Sequence, residues 1–277
     1  MRLFAPGLLA VVACSSAPAG TGDGGPAGGD ASPDSTGDAG GPAAVPWFDP
    51  SITRIVIELD YASGQAPYTG ALVGDGDTFD LGTANLARVF GPERELVLPR
   101  TAAGMEDIGV VSDVEITSAD ILALAAAHRD QADDATTETY WVVFLGGQYT
   151  DASGPQANVL GVSLGNGTNV IAMFKDAIRS TSSVVQPNTS RYVEQTTLIH
   201  EIGHAIGLVD NGIAAVTTHR DATHGPHCDD RDCVMYWLNE GASEATSFAL
   251  RRVLTSDQLV FDAACLADID QARGATP

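Results

Sequence analysis

The sequence predicts an α/β (α+β) domain with two lobes: a mixed sheet with a long buried helix, then an irregular lobe that ends in a C-terminal helix. Three observations predict this fold. Residues 140–145 are all aromatic or aliphatic, and most are aromatic or β-branched, which is typical of a buried strand. Gly165-Asn166-Gly167 separates two apolar segments, as a hairpin turn does. Residues 190–208 place apolar side chains at helical spacing. The hydrophobic content of 44% is enough for a core.

The elements of the first lobe follow from periodicity and turn residues. Ile55, Val56 and Ile57 form an apolar run that predicts a buried strand. Thr117 and Asp120 have the spacing of a capping box, which predicts the start of a helix. In chain order we predict a strand at 52–59, a helix at 80–90, a strand at 95–98, a helix at 118–129, a strand at 140–145, and a hairpin of 158–164 with 169–174.

The second lobe begins after the long helix at 190–208. Ser190 is a residue type that caps helix N-termini, and Gly207 stands where the helix is expected to end, because glycine adopts a positive φ at little cost. Few residues after this helix show the periodicity of a helix or a strand. Helical periodicity returns at residues 255–269, which predict the C-terminal helix.

The predicted long helix carries an HExxH motif at residues 200–204. Side chains at i and i+4 lie one above the other on a helix, so His200 and His204 can bind one tetrahedral Zn2+ at about 2.0–2.1 Å. Zinc lowers the pKa of a bound water towards about 7. The carboxylate of Glu201 can then accept the proton as the water attacks a carbonyl, which makes Glu201 the candidate general base.

HEIGHAIGL at 200–208, followed by Cys233-Val234-Met235-Tyr236, resembles the metzincin zinc metallopeptidases. His227-Cys228 with Cys233 and Met235 is similar to the archaemetzincin pattern, and the distance from His227 to Met235 is also matrixin-like. The resemblance implies a two-lobe catalytic domain, a zinc endopeptidase activity, and a Met-turn at Met235 beneath the metal. It also implies that an extended substrate pairs with an edge strand, here 158–164 or 169–174. Tyr236 and Trp237 are candidates for the substrate pocket.

The third metal ligand is open at this point. The metzincin spacing after Gly207 places the ligand at Asp210, whereas counting back from Met235 places it at His227, and we favour His227 because histidine is the commoner zinc ligand. His219 and His224 are further alternatives. The two ways of counting place the third ligand at positions that differ by the segment 211–227, which we interpret as an insertion after the helix.

Two other functions remain open. A gluzincin-type peptidase would take its third ligand from Glu240 or Glu244, but Gly207 and the methionine turn disfavour it. A metal-loaded binding or adhesion lipoprotein without turnover is the other alternative. The intact Glu201 disfavours this one, since a binding protein does not need a general base.

The N-terminal residues predict export. Residues 1–14 combine one arginine with a short apolar run and end in a lipobox-like sequence, which predicts a signal peptide with Cys14 lipidated. Residues 15–46 are mostly Gly, Ala, Ser, Thr, Pro and Asp, which predicts a disordered tether. Trp47 and Phe48 mark the start of one domain at 47–277. We expect an outer-membrane, cell-surface or periplasmic lipoprotein, with a secreted protein as the alternative.

Net charge limits the partners. The value of −22 at pH 7 argues against nucleic acid, and against a membrane except through a lipid anchor, because both carry negative charge. The remaining expected partner is a peptide or protein substrate.

The cysteines after Cys14 leave alternatives. Outside the cytoplasm, Cys228, Cys233 and Cys265 favour one disulfide, either Cys228–Cys233 or Cys233–Cys265. Archaemetzincins bind a second, structural zinc with four cysteines, and this chain has one too few. A zinc site of three cysteines and one histidine is therefore the alternative to the disulfide.

Overall fold

The computed structural model describes residues 46–72, 76–165, 167–255 and 258–274. The predicted signal peptide, Cys14 and, apart from Pro46, the predicted tether lie outside these residues. The strands are β1 (Arg54–Tyr61), β2 (Ala71–Leu72), β3 (Gly76–Asp77), β4 (Glu95–Val97), β5 (Glu106–Asp107), β6 (Glu115–Ile116), β7 (Thr137–Leu145), β8 (Gln148–Asp151), β9 (Gly154–Gln156), β10 (Gly161–Ser163) and β11 (Val170–Phe174). The helices are α1 (Phe79–Phe90), α2 (Ser118–His128), α3 (Lys175–Ser180), α4 (Thr189–Ala205), α5 (Ala242–Thr255) and α6 (Ala263–Ala272), and 3-10 turns occur at Pro46–Phe48, Ala102–Gly104 and Trp237–Glu240.

The main sheet is mixed and mostly parallel, which confirms the α/β prediction. Its strand order is β10-β11-β7-β1-β4, and β5 also pairs with β1. β11, β7, β1 and β4 run parallel, with Val142 of β7 opposite both Leu59 and Ile171. β10 pairs antiparallel with β11 through the predicted hairpin and lies at the edge of this sheet. Two small sheets, β2-β3 and β6-β8-β9, complete the strands described.

The core is built on the centre of this sheet. All nine residues of β7 are buried, as expected for a central strand of a parallel sheet. Trp47 and Phe48, the first large apolar residues after the predicted tether, are also buried in this core. No helix in the described ranges is long and apolar enough to cross a membrane.

Helix α4 is the most enclosed helix of the fold. It contacts β10 and β11 of the sheet as well as α1 and α5, and every residue from Val193 to Ala205 is buried. Lys175 and Glu194, both fully buried, form an ion pair at its N-terminal half. Because its surroundings leave it little freedom, α4 is a rigid support for the side chains of the HExxH motif.

The ends of α4 differ from the prediction. Ser190 lies in its first turn, and the N-cap is Asn188, so the assignment of Ser190 as the cap was wrong. The helix ends at Ala205 because Gly207 has a φ of 83°. Leu208 N–H donates to Gly203 O at 3.0 Å and Gly207 N–H to His204 O at 3.0 Å, the two bonds of a Schellman motif.

The prediction of a single helix at 255–269 was wrong. The structure has α5 before it and α6 within and beyond it. Asp262 is the N-cap of helix α6, and its carboxylate accepts a hydrogen bond from Cys265 N–H at 2.8 Å. Helix α5 occupies a segment that was expected to be irregular, and it buries Ala245, Phe248 and Ala249, which have helical spacing.

Candidate metal centre

Three buried histidines meet at the C-terminal end of α4. His200 and His204 come from successive turns of the helix, and His227 comes from the irregular segment that follows. The Nε2 atom of His204 lies 3.0 Å from that of His200 and 3.1 Å from that of His227. We call His200, His204 and His227 the three-histidine centre.

The distances fit a tetrahedral metal ion. Three nitrogens at about 2.0–2.1 Å from such an ion lie about 3.3–3.4 Å from one another. The candidate ligand atoms of the three-histidine centre all lie within 4.8 Å of one another, and His204 Nε2 lies 3.0 and 3.1 Å from the other two. Three imidazoles leave a fourth position open, which is the arrangement of catalytic rather than structural zinc sites.

Backbone carbonyls orient two of the rings. His200 Nδ1 lies 2.7 Å from Val234 O, and His227 Nδ1 lies 2.5 Å from His224 O. A carbonyl can only accept, so in both rings Nδ1 carries the proton and Nε2 keeps its lone pair for a metal. Such outer partners fix the tautomer and the ring orientation of metal-binding histidines.

Met235 packs beneath the HExxH helix. It is fully buried, and its Sδ lies so close to Gly203 that a Cβ at this position would be only 2.4 Å away. Residue 203 therefore has to be glycine for the methionine to reach the helix between the two histidines. Val234, next to Met235, supplies the carbonyl for His200, so one short turn forms the floor of the centre.

Glu201 lies against the edge strand. It is 1% exposed, and a Cβ added to Gly161 of β10 would lie 2.9 Å from its Cγ and 3.1 Å from its Oε1. The absence of a side chain at Gly161 therefore lets the carboxylate lie directly beneath β10. The candidate general base is thus located between the metal ligands of α4 and the edge of the main sheet.

The other candidate ligands lie elsewhere. The side chain of Asp210 is 61% exposed and 3.8 Å from Arg220, and Glu244 is exposed on α5. The side chain of Glu240 lies outside the described part of the chain. His224 stacks on Trp237 with ring centroids 3.7 Å apart and an interplanar angle of 5°. Tyr236 and Trp237, the candidate pocket residues, are both partly buried.

A second group of metal-binding residue types lies behind the first. Cys228, Cys233 and Cys265 are buried free thiols, so the predicted disulfide is not formed, although the sulfurs of Cys233 and Cys265 are only 3.5 Å apart. His219 Nδ1 lies 3.4 Å from Cys228 Sγ and 3.9 Å from Cys265 Sγ. We call these four residues the thiol cluster. Asp262 lies beside it, with Oδ2 3.7 Å from Cys228 Sγ.

The surroundings of the thiol cluster shift the pKa values of its thiols in opposite directions. Hydrogen bonds from Cys233 and Cys265 lower the pKa of the Cys228 thiol, whereas burial raises the pKa of Cys233. Burial opposes a charge on His219, but its hydrogen bonds with Cys228 and Asp268 raise the pKa of His219 overall. These surroundings favour the charged form of Cys228 and the protonated form of His219. His219, Cys228 and Cys265 of this cluster could hold a metal ion together with Asp262, as could the three-histidine centre.

Several residues of the site were not found from the sequence. Gly161, the carbonyls of Val234 and His224, and the buried Asp268 behind His219 act through contacts between distant segments. The backbone carbonyls leave no sequence signal at all, since every residue type has one. The Cys-rich spacing around His227 was the only sequence signal that pointed to this region.

Comparisons with protein-family models, curated proteins and solved structures found no significant match to this chain.

Proposed function

We propose that this protein is a zinc-dependent endopeptidase, with His200, His204 and His227 as metal ligands and Glu201 as the general base. The observation that carries the proposal is the convergence of three Nε2 atoms, within 4.8 Å of one another, beside a buried glutamate at the edge of a sheet. Sequence spacing alone left the third ligand open between His227 and Asp210. The location of His227 in the centre and of Asp210 at the surface favours His227.

The residues divide the work of hydrolysis. Zinc, when bound, supplies a Lewis acid that lowers the pKa of a water and polarises the scissile carbonyl. Glu201 accepts the proton from the attacking water and then donates it to the departing amine. The carbonyls of Val234 and His224 keep the rings of His200 and His227 in the metal-binding tautomer throughout.

The edge strand suggests how a substrate is held. Of the two segments expected to pair with a peptide, β11 lies inside the sheet and β10 lies at its edge. An extended peptide that adds to β10 gains backbone hydrogen bonds, which are independent of side-chain sequence. It passes beside Gly161, and hence over Glu201, so the proposed substrate is an extended or unfolded polypeptide.

The proposed location is the cell envelope. The lipobox-like sequence ending at Cys14 supports attachment to the outer membrane through a lipid, with the cell surface or the periplasm as the site of action and secretion as the alternative. Labelling of the exported protein with a radioactive fatty acid, and its loss in Cys14→Ser, would test this attachment.

Two alternatives are separated by mutation. A metal-loaded binding lipoprotein would need no general base, and the burial of Glu201 beside the metal ligands disfavours it. A gluzincin-type centre would need a glutamate ligand from the 240–244 region, and the exposure of Glu244 disfavours that residue. Zinc content of Glu240→Ala and Glu244→Ala should equal that of the parent.

The decisive experiment is chelator-sensitive cleavage of unfolded casein by the full chain and by Glu201→Ala at matched zinc content. We expect cleavage by the parent and none by the variant, since the variant keeps all three histidines. Zinc binding without cleavage in both proteins would support the binding lipoprotein instead. Equal cleavage by both would remove Glu201 from the mechanism.

A further inference from the structure

One end of the β10 edge is occupied by the chain itself. Val159, two residues before Gly161, pairs antiparallel with Gly241 in an isolated bridge. The opposite side of this stretch already faces β11, since Phe174 N–H donates to Leu160 O at 2.9 Å. Gly241 therefore lies on the side away from β11, which we call the outer edge. This is the edge along which a peptide that pairs with β10 would lie.

The bridge lies close to the proposed site of hydrolysis. Gly161 lies over Glu201, the proposed general base. A strand rises about 3.4 Å per residue, so Val159 is about 7 Å further along the outer edge. Within the described ranges, no strand other than β11 and no bridge pairs with Gly161–Ser163 itself. A peptide bond that is cleaved over Glu201 thus has room for about two more residues on one side before the peptide meets Gly241.

The bridge also indicates the direction of a bound peptide. Gly241 pairs antiparallel, and antiparallel pairing is slightly more stable than parallel pairing. A peptide that takes the place of Gly241 at the outer edge therefore runs from Ser163 towards Val159. The closed end faces the residues that follow the cleaved bond, and the open end faces those that precede it.

The segment that closes the outer edge is held on both sides of the bridge. The buried side chain of Asn239 donates to Cys233 O at 2.9 Å and to Val234 O at 3.2 Å. After the bridge, Ala245 N–H donates to Gly241 O at 3.0 Å, and Ala245 is buried in α5, which packs against α4. Gly241 itself is partly exposed. Its release from the strand therefore requires movement of only the few residues between these two attachments.

We propose that residues 237–241 form a latch, which closes the outer edge where the C-terminal part of a substrate lies. A polypeptide that continues more than about two residues past the cleaved bond has to displace Gly241 from Val159. A peptide that ends within this distance binds without opening the latch. The inference rests on the proposed hydrolysis at Glu201, and adds to it a preference for bonds near the C-terminus of the substrate.

The size of this preference follows from the pairing that is lost. A net backbone hydrogen bond changes an equilibrium constant about 2- to 10-fold. The longer peptide replaces the pairing of Gly241 with its own, so its extra residues gain little and the latch has to move first. We expect kcat/KM to be about 10-fold lower for the longer peptide.

The first test is a length series of peptides cleaved by the full chain. A bond that the parent cleaves in unfolded casein is identified by mass spectrometry. Peptides that contain this bond are then made with one, two, three or six residues after it, and a second set varies the residues before it. Between two and three residues after the bond, kcat/KM should fall about 10-fold. The second set should show no such step.

The second test is a disulfide that locks the latch. Residues opposite each other in an antiparallel pair have Cα atoms about 4.5–5.5 Å apart, within the range of about 4.4–6.8 Å that a disulfide spans. Val159→Cys/Gly241→Cys is compared with and without oxidation by oxidised glutathione. Oxidation should raise the ratio of kcat/KM for the two-residue peptide to that for the six-residue peptide at least about 10-fold, and a reductant should reverse it. The parent, treated identically, is the control for its own free thiols.

Binding keeps the test independent of turnover. In a zinc-loaded Glu201→Ala background, the oxidised double-cysteine variant should bind unfolded casein about 10-fold more weakly than its reduced form, as measured by fluorescence anisotropy. The length series uses the parent chain, so it tests the latch even if the double-cysteine variant does not fold.

Three results would overturn the proposal. The first is an equal kcat/KM across the length series, and the second is a step among the peptides that vary before the bond. The third is equal binding of casein by the locked and the reduced protein. Weaker binding in the locked form without cleavage by the parent would contradict the proposed hydrolysis alone. Absence of both binding and cleavage would contradict the hydrolysis and the latch together.

Discussion

Gly161→Ala should impair hydrolysis without loss of metal. The new Cβ would lie 2.9 Å from Glu201 Cγ and 3.0 Å from Thr197 Cγ2, whereas carbon atoms pack best at about 3.5–4.0 Å. The overlap is therefore about 0.6 Å or more. β10 is hydrogen-bonded to β11 and Glu201 lies on a buried helix, so the glutamate side chain is the part that moves.

A displacement of about 1 Å at a catalytic group costs on the order of 100-fold in rate. We expect kcat/KM for unfolded casein to fall about 10- to 100-fold. Zinc content should stay unchanged, because the three atoms nearest to the new methyl group belong to Glu201 and Thr197 and not to a metal ligand. Overpacking costs about 1–3 kcal/mol of folding free energy, offset in part by about 0.4–1 kcal/mol because alanine restricts the unfolded chain. The melting temperature should therefore fall by no more than about 10 °C.

The assay compares Gly161→Ala with Gly104→Ala at equal zinc content. Gly104 is a suitable control, since the nearest atom to its added Cβ would be Pro99 Cβ at an ordinary 3.4 Å. The control should keep the parental kcat/KM. If Gly161→Ala kept it too, within about twofold, the close contact between β10 and Glu201 would have no part in positioning the base.

Two further predictions concern the centre and the core. His227→Ala should lose zinc from the three-histidine centre, whereas Asp210→Ala, which changes an exposed side chain, should keep it. Atomic absorption measures the zinc content of both variants. Loss of zinc in Asp210→Ala but not in His227→Ala would restore Asp210 as the ligand. Burial raises the pKa of Asp60 to about 6, and Trp141 Nε1–H donates to its carboxylate. The folded state thus binds the proton of the Asp60 carboxyl more tightly than the unfolded chain does. The contribution of this group to stability is fully present below about pH 4 and is lost as the pH rises through about 6. Asp60→Asn should therefore raise the free energy of unfolding by about 1–3 kcal/mol at pH 8 and leave it unchanged near pH 4. Urea denaturation at the two pH values measures this difference. An equal change at both would show that titration of Asp60 is not the cause.

Local signals predicted the elements that depend on local chemistry. The capping box at Thr117 forms as expected, with Asp120 N–H donating to the threonine hydroxyl and the aspartate accepting in return. The hairpin of β10 with β11 and the helix that carries HExxH were also predicted correctly, because turn residues and periodicity act over a few residues.

The third histidine could not be derived in this way. His227 lies in an irregular segment whose course depends on hydrogen bonds to distant residues, such as Val216 N–H to Asp268 and Cys228 N–H to Met235 O. The spacing of residues after α4 therefore favoured His227 but left Asp210 open as the third ligand. The helix at α5 was missed for a related reason: half of its 14 residues are polar, and its burial depends on packing against α4.

The rigidity of the three-histidine centre cannot come from α4 alone. The helix fixes His200 and His204 in position, but the ring of His200 is oriented by Val234 O, and His227 depends on His224 O. Both carbonyls belong to a stretch without regular secondary structure, whose order has to come from side chains. Met235 holds one end of it against Gly203, and the thiols hold it against α6. A substitution in the thiol cluster should therefore change metal binding more than it changes helix content, a difference that a loss of overall folding would not produce.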